Sequence, residues 1–143
     1  MLVAADSARS AKAQVAGFLL DVWCLGVKNA LPPEPMTPSQ LAAHRHAYFS
    51  AFEGHVQVPA ELARALVFGA ADYAHELGFA PEADFDAAAV VLDEPAGPSP
   101  IRFGRDGKPF YVNGPYDDPD AIVRTLRHAV GDDGFHYTLA FPE

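Results

Sequence analysis

The run Val15-Ala-Gly-Phe-Leu-Leu-Asp-Val-Trp-Cys-Leu-Gly-Val27 is apolar on both of its alternating faces. A segment of that kind is stable only where other elements cover it from two sides. A central strand meets the requirement. A buried helix is the alternative, but Gly17 and Gly26 would each cost a helix interior about 1 kcal/mol. The branched and aromatic residues also favour extended backbone. The run falls short of the roughly 20 residues a membrane helix needs, and it contains Asp21. Directly after it, Leu31-Pro-Pro-Glu-Pro-Met-Thr-Pro38 carries four prolines in eight residues. Each ring fixes φ and removes a donor, so this stretch reads as a stiff extended connector. The P-x-x-P spacings within it are assigned to that rigid joint.

Helices are then expected where stop and start signals bracket apolar periodicity. Thr37, Pro38 and Gln40 form a capping box with proline at the first helical position, which predicts a helix over 38–53 with Gly54 as its stop. Its apolar stripe is Leu41, Tyr48, Ala51 and Phe52. A second helix spans 59–77 and ends where Gly78 takes left-handed backbone. Leu62, Leu66, Gly69, Ala70, Tyr73 and Leu77 are its expected inner stripe, while Phe68 lies on a second apolar side. A shorter helix follows from Asp84 to Leu92, and Pro95, Pro98 and Pro100 mark another rigid connector. Asp106-Gly107 between two β-prone runs predicts a hairpin over 101–112, with Pro109 confining its second strand to an edge or delaying its pairing. Asp117 or Asp118 caps a last helix that begins at Pro119, turns Ile122, Leu126 and Val130 inward and stops at Gly131. Phe135, Tyr137, Leu139 and Phe141 alternate as a closing strand. The fold class expected is α+β: a small, largely antiparallel sheet made of the N-terminal strand, the hairpin 101–112 and the C-terminal strand, covered by about four helices. Residues 1–12 are read as a loose leader and 13–143 as one domain.

Two of these stretches, Leu66-Val-Phe-Gly-Ala-Ala-Asp-Tyr-Ala-His-Glu-Leu-Gly-Phe79 and Ile101-Arg-Phe-Gly-Arg-Asp-Gly-Lys-Pro-Phe-Tyr111 running into Gly114-Pro-Tyr-Asp-Asp118, together with Cys24-Leu-Gly-Val-Lys-Asn29, are similar to a group of bacterial hypothetical proteins. The resemblance covers about residues 15–137. It implies a genuine folding unit and carries no reaction, ligand or site residue.

Charge and cysteine usage narrow the function classes. Ten Lys and Arg against nineteen Asp and Glu give a formal charge of −9, which repels phosphate backbones, so direct nucleic-acid binding is disfavoured. No secretory leader is evident in the first residues. The single cysteine makes no internal disulfide and suits a reducing compartment, so a cytoplasmic location is expected. The abundance of Ala and the excess of Arg over Lys point to a GC-rich bacterial genome. Glycine-rich phosphate loops and a G-x-S-x-G elbow are absent from the sequence.

The sharpest chemical constellation is Asp21, Cys24 and Lys28, because a thiol beside a cation and a carboxylate can become a thiolate nucleophile. On a helix these spacings would share one face. On a strand Cys24 and Lys28 would share a face roughly 13 Å apart, with Asp21 opposite. Free Cys also packs commonly as a small hydrophobe. Asp21 needs compensation in a covered strand, and a salt link to Lys28, Arg64 or Arg102 is the expected one, with several N–H groups as the other solution. His44, His46 and His55 lie close in sequence, but His44 and His46 diverge on a helix, so neither a metal nor any other cofactor is expected. His128 near a helix end is explained by the dipole. Asp117, Asp118, Asp120, Asp132 and Asp133 lack a calcium-loop pattern and read as caps and turn residues.

The first functional expectation is therefore a non-catalytic binding or accessory domain. It would act by protein contact through Phe68, Tyr111, Asn113 and Tyr116, with a basic partner suited to the acidic body. The alternative is a small enzyme or ligand-binding protein with a pocket at Asp21, Cys24 and Lys28. Self-association through the second side of the central helix is a further possibility.

Overall fold

In a computed structural model that describes residues 1–6, 10–93 and 100–140, the apolar run becomes two strands. β2 (Ala13–Asp21) and β3 (Gly26–Met36) are antiparallel and are joined by a tight turn at 22–25. The single strand expected over 15–27 is broken there for two reasons. The Asp21 carboxylate accepts the N–H groups of Trp23 and Leu25, both at 3.0 Å, and Gly26 takes φ +70°, a conformation that favours glycine. β3 continues into the proline-rich stretch. Those residues are extended, as their rings require, yet they pair with β2 as an edge strand instead of serving as a connector.

β1 (Leu2–Asp6) pairs antiparallel with β2, so these residues are a strand and not a loose leader. Too few residues alternate here for a local pattern, and the strand exists because β2 offers it an open ladder. The resulting sheet has the order β1-β2-β3. The α+β class and the small antiparallel sheet are as expected, with four helices among the described residues. The strands that build the sheet differ. The 101–112 hairpin makes its positive-φ turn, with Asp106 at 54° and Gly107 at 79°, but its ladder stops at the Arg105–Lys108 bridge because Pro109 has no N–H to offer. β4 (Phe110–Val112) pairs in parallel with β5 (His136–Thr138), away from the sheet. The closing strand is thus three residues long, and Phe141 lies outside the described residues, as do Pro95 and Pro98.

The helices follow their predicted caps more closely than their predicted faces. α1 (Pro38–Phe49) has both halves of its capping box, although it ends four residues early. α2 (Ala60–Glu76) closes with Gly78 at φ +96°, the Gly78 N–H donating to His75 O and the Phe79 N–H to Ala74 O. Its buried stripe is Ala63, Val67, Ala70, Ala71 and Ala74, rotated by one residue from the expected one, and Leu62 is exposed. Small side chains win because they let the helix lie close on the sheet. α3 (Phe85–Ala89) is shorter than expected, and α4 (Pro119–Val130) is capped by the Asp118 side chain, with Val123 and Leu126 inward and Val130 exposed.

Two clusters make the core. Ala16, Phe18, Val27 and Ala30 of the sheet meet Ala63, Val67 and Ala71 of α2 and Phe85 and Ala88 of α3. Cys24, Leu77, Tyr111, Val123, Leu126 and Phe135 form the second, so α2 spans both. The closest approach is at Gly26, where a Cβ would stand 2.7 Å from both Ala70 O and the Ala74 Cβ. Gly26→Ala combines that overlap with disallowed backbone and should destabilise the fold by roughly 3 kcal/mol. Gly54→Ala, which meets nothing within 4 Å, should change stability by less than about 0.5 kcal/mol in the same urea titration. Equal effects would refute the close-packing account.

Candidate functional site

The turn at 22–25 is the point where the two core clusters are joined. Its outer carbonyls are both used: Val22 O accepts from Gly104 N at 2.9 Å and Trp23 O from Phe110 N at 3.1 Å. The Trp23 ring meets Phe110 edge-on at 5.4 Å, and the Arg105 guanidinium lies over both rings at 5.4 and 5.0 Å. These contacts dock the short hairpin onto the turn and place β4 beside it.

Beneath the turn sits a polar node centred on Asp117. One of its carboxylate oxygens accepts from Gly114 N at 2.7 Å, the Tyr111 hydroxyl at 3.0 Å and Lys28 Nζ at 3.4 Å, and the other lies 3.3 Å from Lys28 Nζ. Burial works to raise the Asp117 pKa. The Gly114 N–H, the Tyr111 hydroxyl and Lys28 outweigh it and hold the carboxyl below its ordinary value. Tyr111 is fully buried, and burial followed by its bond to Asp117 pushes its hydroxyl well above the usual phenol range. The sequence left Asp117 and Asp118 as alternative caps of the last helix. That role belongs to Asp118, and only the tertiary fold brings Lys28 across eighty-nine residues to meet Asp117.

The Asp21, Cys24 and Lys28 constellation is therefore rearranged. Asp21 is compensated by two backbone N–H groups and not by the expected salt link; Lys28 is paired with Asp117, and Arg64 with Asp93. Cys24 lies on the turn, so the strand spacing that would separate it from Lys28 does not apply. Its thiol has no exposed surface. Burial first, then the charges of Asp21 and Asp117, push it up to about 12, against a smaller opposing effect of Lys28. A thiol so placed is protonated at neutral pH and cannot act as a nucleophile without local opening.

The residues expected on an interaction surface divide sharply. Tyr111 is inside, a correction that follows from its bond to Asp117. Asn113 is engaged in a two-way bond with the backbone of Ala140, donating to its O at 2.9 Å and accepting from its N at 2.6 Å. Phe68 is half-buried against the sheet-side core, edge-on to Phe85 at 6.2 Å. Tyr116 alone of the four projects freely, at 98% exposure.

The sequence reading missed the surface at the end of α1. No residue of this helix is fully buried; of the stripe expected to face inward, Leu41 and Tyr48 are half-buried, with the Tyr48 hydroxyl accepting from the Met1 amine at 3.3 Å, while Ala51 and Phe52 are exposed. Tyr48, Phe49, Phe52 and His55 form a continuous aromatic cluster, with Phe49 stacked on His55 at 4.4 Å and edge-on to Tyr48 at 4.9 Å. Phe52 is 58% exposed and Val56 83%. A shallow groove of about 600 Å³ lies elsewhere, between the end of α2 and α4, lined by His75, Glu76, Arg124 and His128. Its imidazoles sit at the C-terminal ends of both helices, where the dipoles favour positive charge and no ligand is needed to explain them. Among the described residues, no group of three His, Cys, Asp or Glu side chains is arranged to hold a metal ion, and no helix is long and apolar enough to cross a membrane. Comparison with protein-family models, curated proteins and solved structures returned no match.

Two measurements follow from the node. Cys24 should react with an aromatic disulfide at least about a thousandfold more slowly in the native protein than in urea, because modification must await opening. Rapid native labelling would contradict the sealed turn. Because its folded pKa is raised, the stabilisation from Cys24 is complete below the thiol's unfolded value and is lost as pH climbs toward about 12. Asp117 has the opposite sign: its contribution is complete above the ordinary carboxylate range and is lost as pH falls through its lower folded value. Asp117→Asn should cost about 2–3 kcal/mol at neutral pH and flatten the acid limb of the stability curve. An unchanged acid limb would show that the node does not set it.

Proposed function

We propose that this chain is a non-catalytic binding domain that acts through protein contact made by the aromatic end of α1 and the segment after it. One observation carries the reading: a twelve-residue helix with no buried residue leads into Phe52 and Val56, both widely exposed, and every residue from 50 to 62 is exposed. Clustered aromatics next to an Arg are the composition of interface centres. Charge supports the same surface. Between residues 35 and 60 the charged side chains are Arg45 and Glu53, so the segment is neutral with histidine uncharged and the formal −9 resides in the rest of the chain. A partner that offers an apolar site within a basic rim matches that distribution, since rim charges steer and orient while the apolar centre holds. The lone thiol, which forms no disulfide, suits a reducing compartment, and a cytoplasmic setting belongs to this proposal. The competing pocket at Asp21, Cys24 and Lys28 has its nucleophile sealed and its two charges already satisfied.

A photoreactive phenylalanine at position 52 tests the reading. In lysate of the source organism it should yield one dominant protein adduct, which the same probe at exposed Asp72 on α2 does not give. Phe52→Ser combined with Val56→Ser should weaken capture of that adduct partner by about tenfold or more while leaving the melting temperature nearly unchanged. Identical adducts from both probe positions, or full capture by the double variant, would refute the assignment.

A further inference from the structure

The two edges of the sheet are treated differently by the sequence. The outer edge strand β3 carries Pro32, Pro33 and Pro35, each of which removes a donor and blunts the edge against further pairing. β1 is the other edge, and Leu-Val-Ala-Ala-Asp has no proline and one charge. Its hydrogen bonding is alternating and can be assigned. Met1 N donates to Phe18 O at 2.8 Å and Phe18 N donates to Met1 O at 2.9 Å, so this pair exchanges both bonds. With Val3 opposite Ala16 and Ala5 opposite Gln14, the register makes Val3 and Ala5 the residues that bond to β2. Leu2, Ala4 and Asp6 therefore turn their N–H and C=O groups outward, where no strand among the described residues meets them.

We propose that this edge is a self-association surface on which a second copy of the chain adds its own β1, antiparallel, to make a continuous six-stranded sheet. The edge is self-complementary about Ala4. A two-fold axis there pairs Ala4 with Ala4 of the second copy and Leu2 with Asp6, so every outward N–H meets an outward C=O and none is missing. The two Asp6 carboxylates fall at opposite ends of the paired strands and do not face each other. Val3 opposes Ala5, both on the face that carries the sheet-side core, to which Met1 and Val3 already belong. Each copy carries a formal −9, so like-charge repulsion opposes association and added salt should strengthen it, the reverse of an ion-pair interface.

Light scattering on the untagged chain over roughly a hundredfold range of concentration tests this, and the mass should rise from one chain to two, at lower concentration in higher salt. Ala4→Pro deletes an outward donor without touching a bond to β2 and should return the mass to one chain, with the melting profile of the diluted protein retained. Ala4→Lys is the second variant, should the proline perturb folding. It places like charges directly opposite across the axis and should weaken pairing by about tenfold or more. In amide spectra the dilution-dependent signals should be Leu2, Ala4 and Asp6, with Val3 and Ala5 little changed. A one-chain mass at every concentration, a dimer that survives both substitutions, or equal shifts along the strand would each overturn the proposal. None of these outcomes bears on the α1 surface, which is read by the photoprobe at position 52.

Discussion

The close seating of the β2–β3 turn on α2 is the contact on which the remaining structure depends. Gly26 lets the backbone pass where a Cβ would overlap Ala70 and Ala74, and the Asp21 carboxylate ties off two of the turn's N–H groups. With those donors satisfied internally, the turn's carbonyls at Val22 and Trp23 are available to receive Gly104 and Phe110. The sheet-side core and the core beneath α4 are thereby connected through this turn as well as through α2. An alanine-lined helix is what makes the arrangement possible, since larger side chains would hold α2 away from the turn.

Charge compensation in the interior follows the same economy of position. Asp117, Tyr111, Lys28 and the Gly114 amide satisfy one another, while Asp21 is served by backbone alone. Cys24 belongs to the apolar cluster with Leu77, Tyr111 and Leu126, and burial first, then the charges of Asp21 and Asp117, oppose its thiolate. A constellation that looks reactive as a string of residue types is, as geometry, a structural joint. The two surfaces proposed for contact lie apart from this joint: an aromatic cluster at the end of a helix with no fully buried residue, and a strand edge whose outward groups match their own two-fold image.

Legibility in the sequence tracked the range of the interaction responsible. The capping box at Thr37 and Gln40, the left-handed end at Gly78, the Asp118-Pro119 start and the Asp106-Gly107 turn were readable because each is decided within four or five residues. Helix faces were read less well, because the rule that large apolar residues face inward fails where close approach selects alanine, as along Ala63, Ala70 and Ala74. The stripe of α1 was legible only in part: Leu41 and Tyr48 are half-buried, whereas Ala51 and Phe52 lie past the end of the helix, where its period no longer applies.

The sequence by itself determined the mixed class, the helix starts, the ends of α2 and α4 and the extended proline segment. Tertiary structure alone decided that residues 22–25 turn, that Leu2–Asp6 joins the sheet, that β4 pairs with β5 in parallel, and that Lys28 meets Asp117. The division is physical. Backbone sterics and local hydrogen bonds act over a few residues and are written in consecutive side chains, whereas strand pairing and ion pairing join residues far apart, whose partners no local pattern specifies.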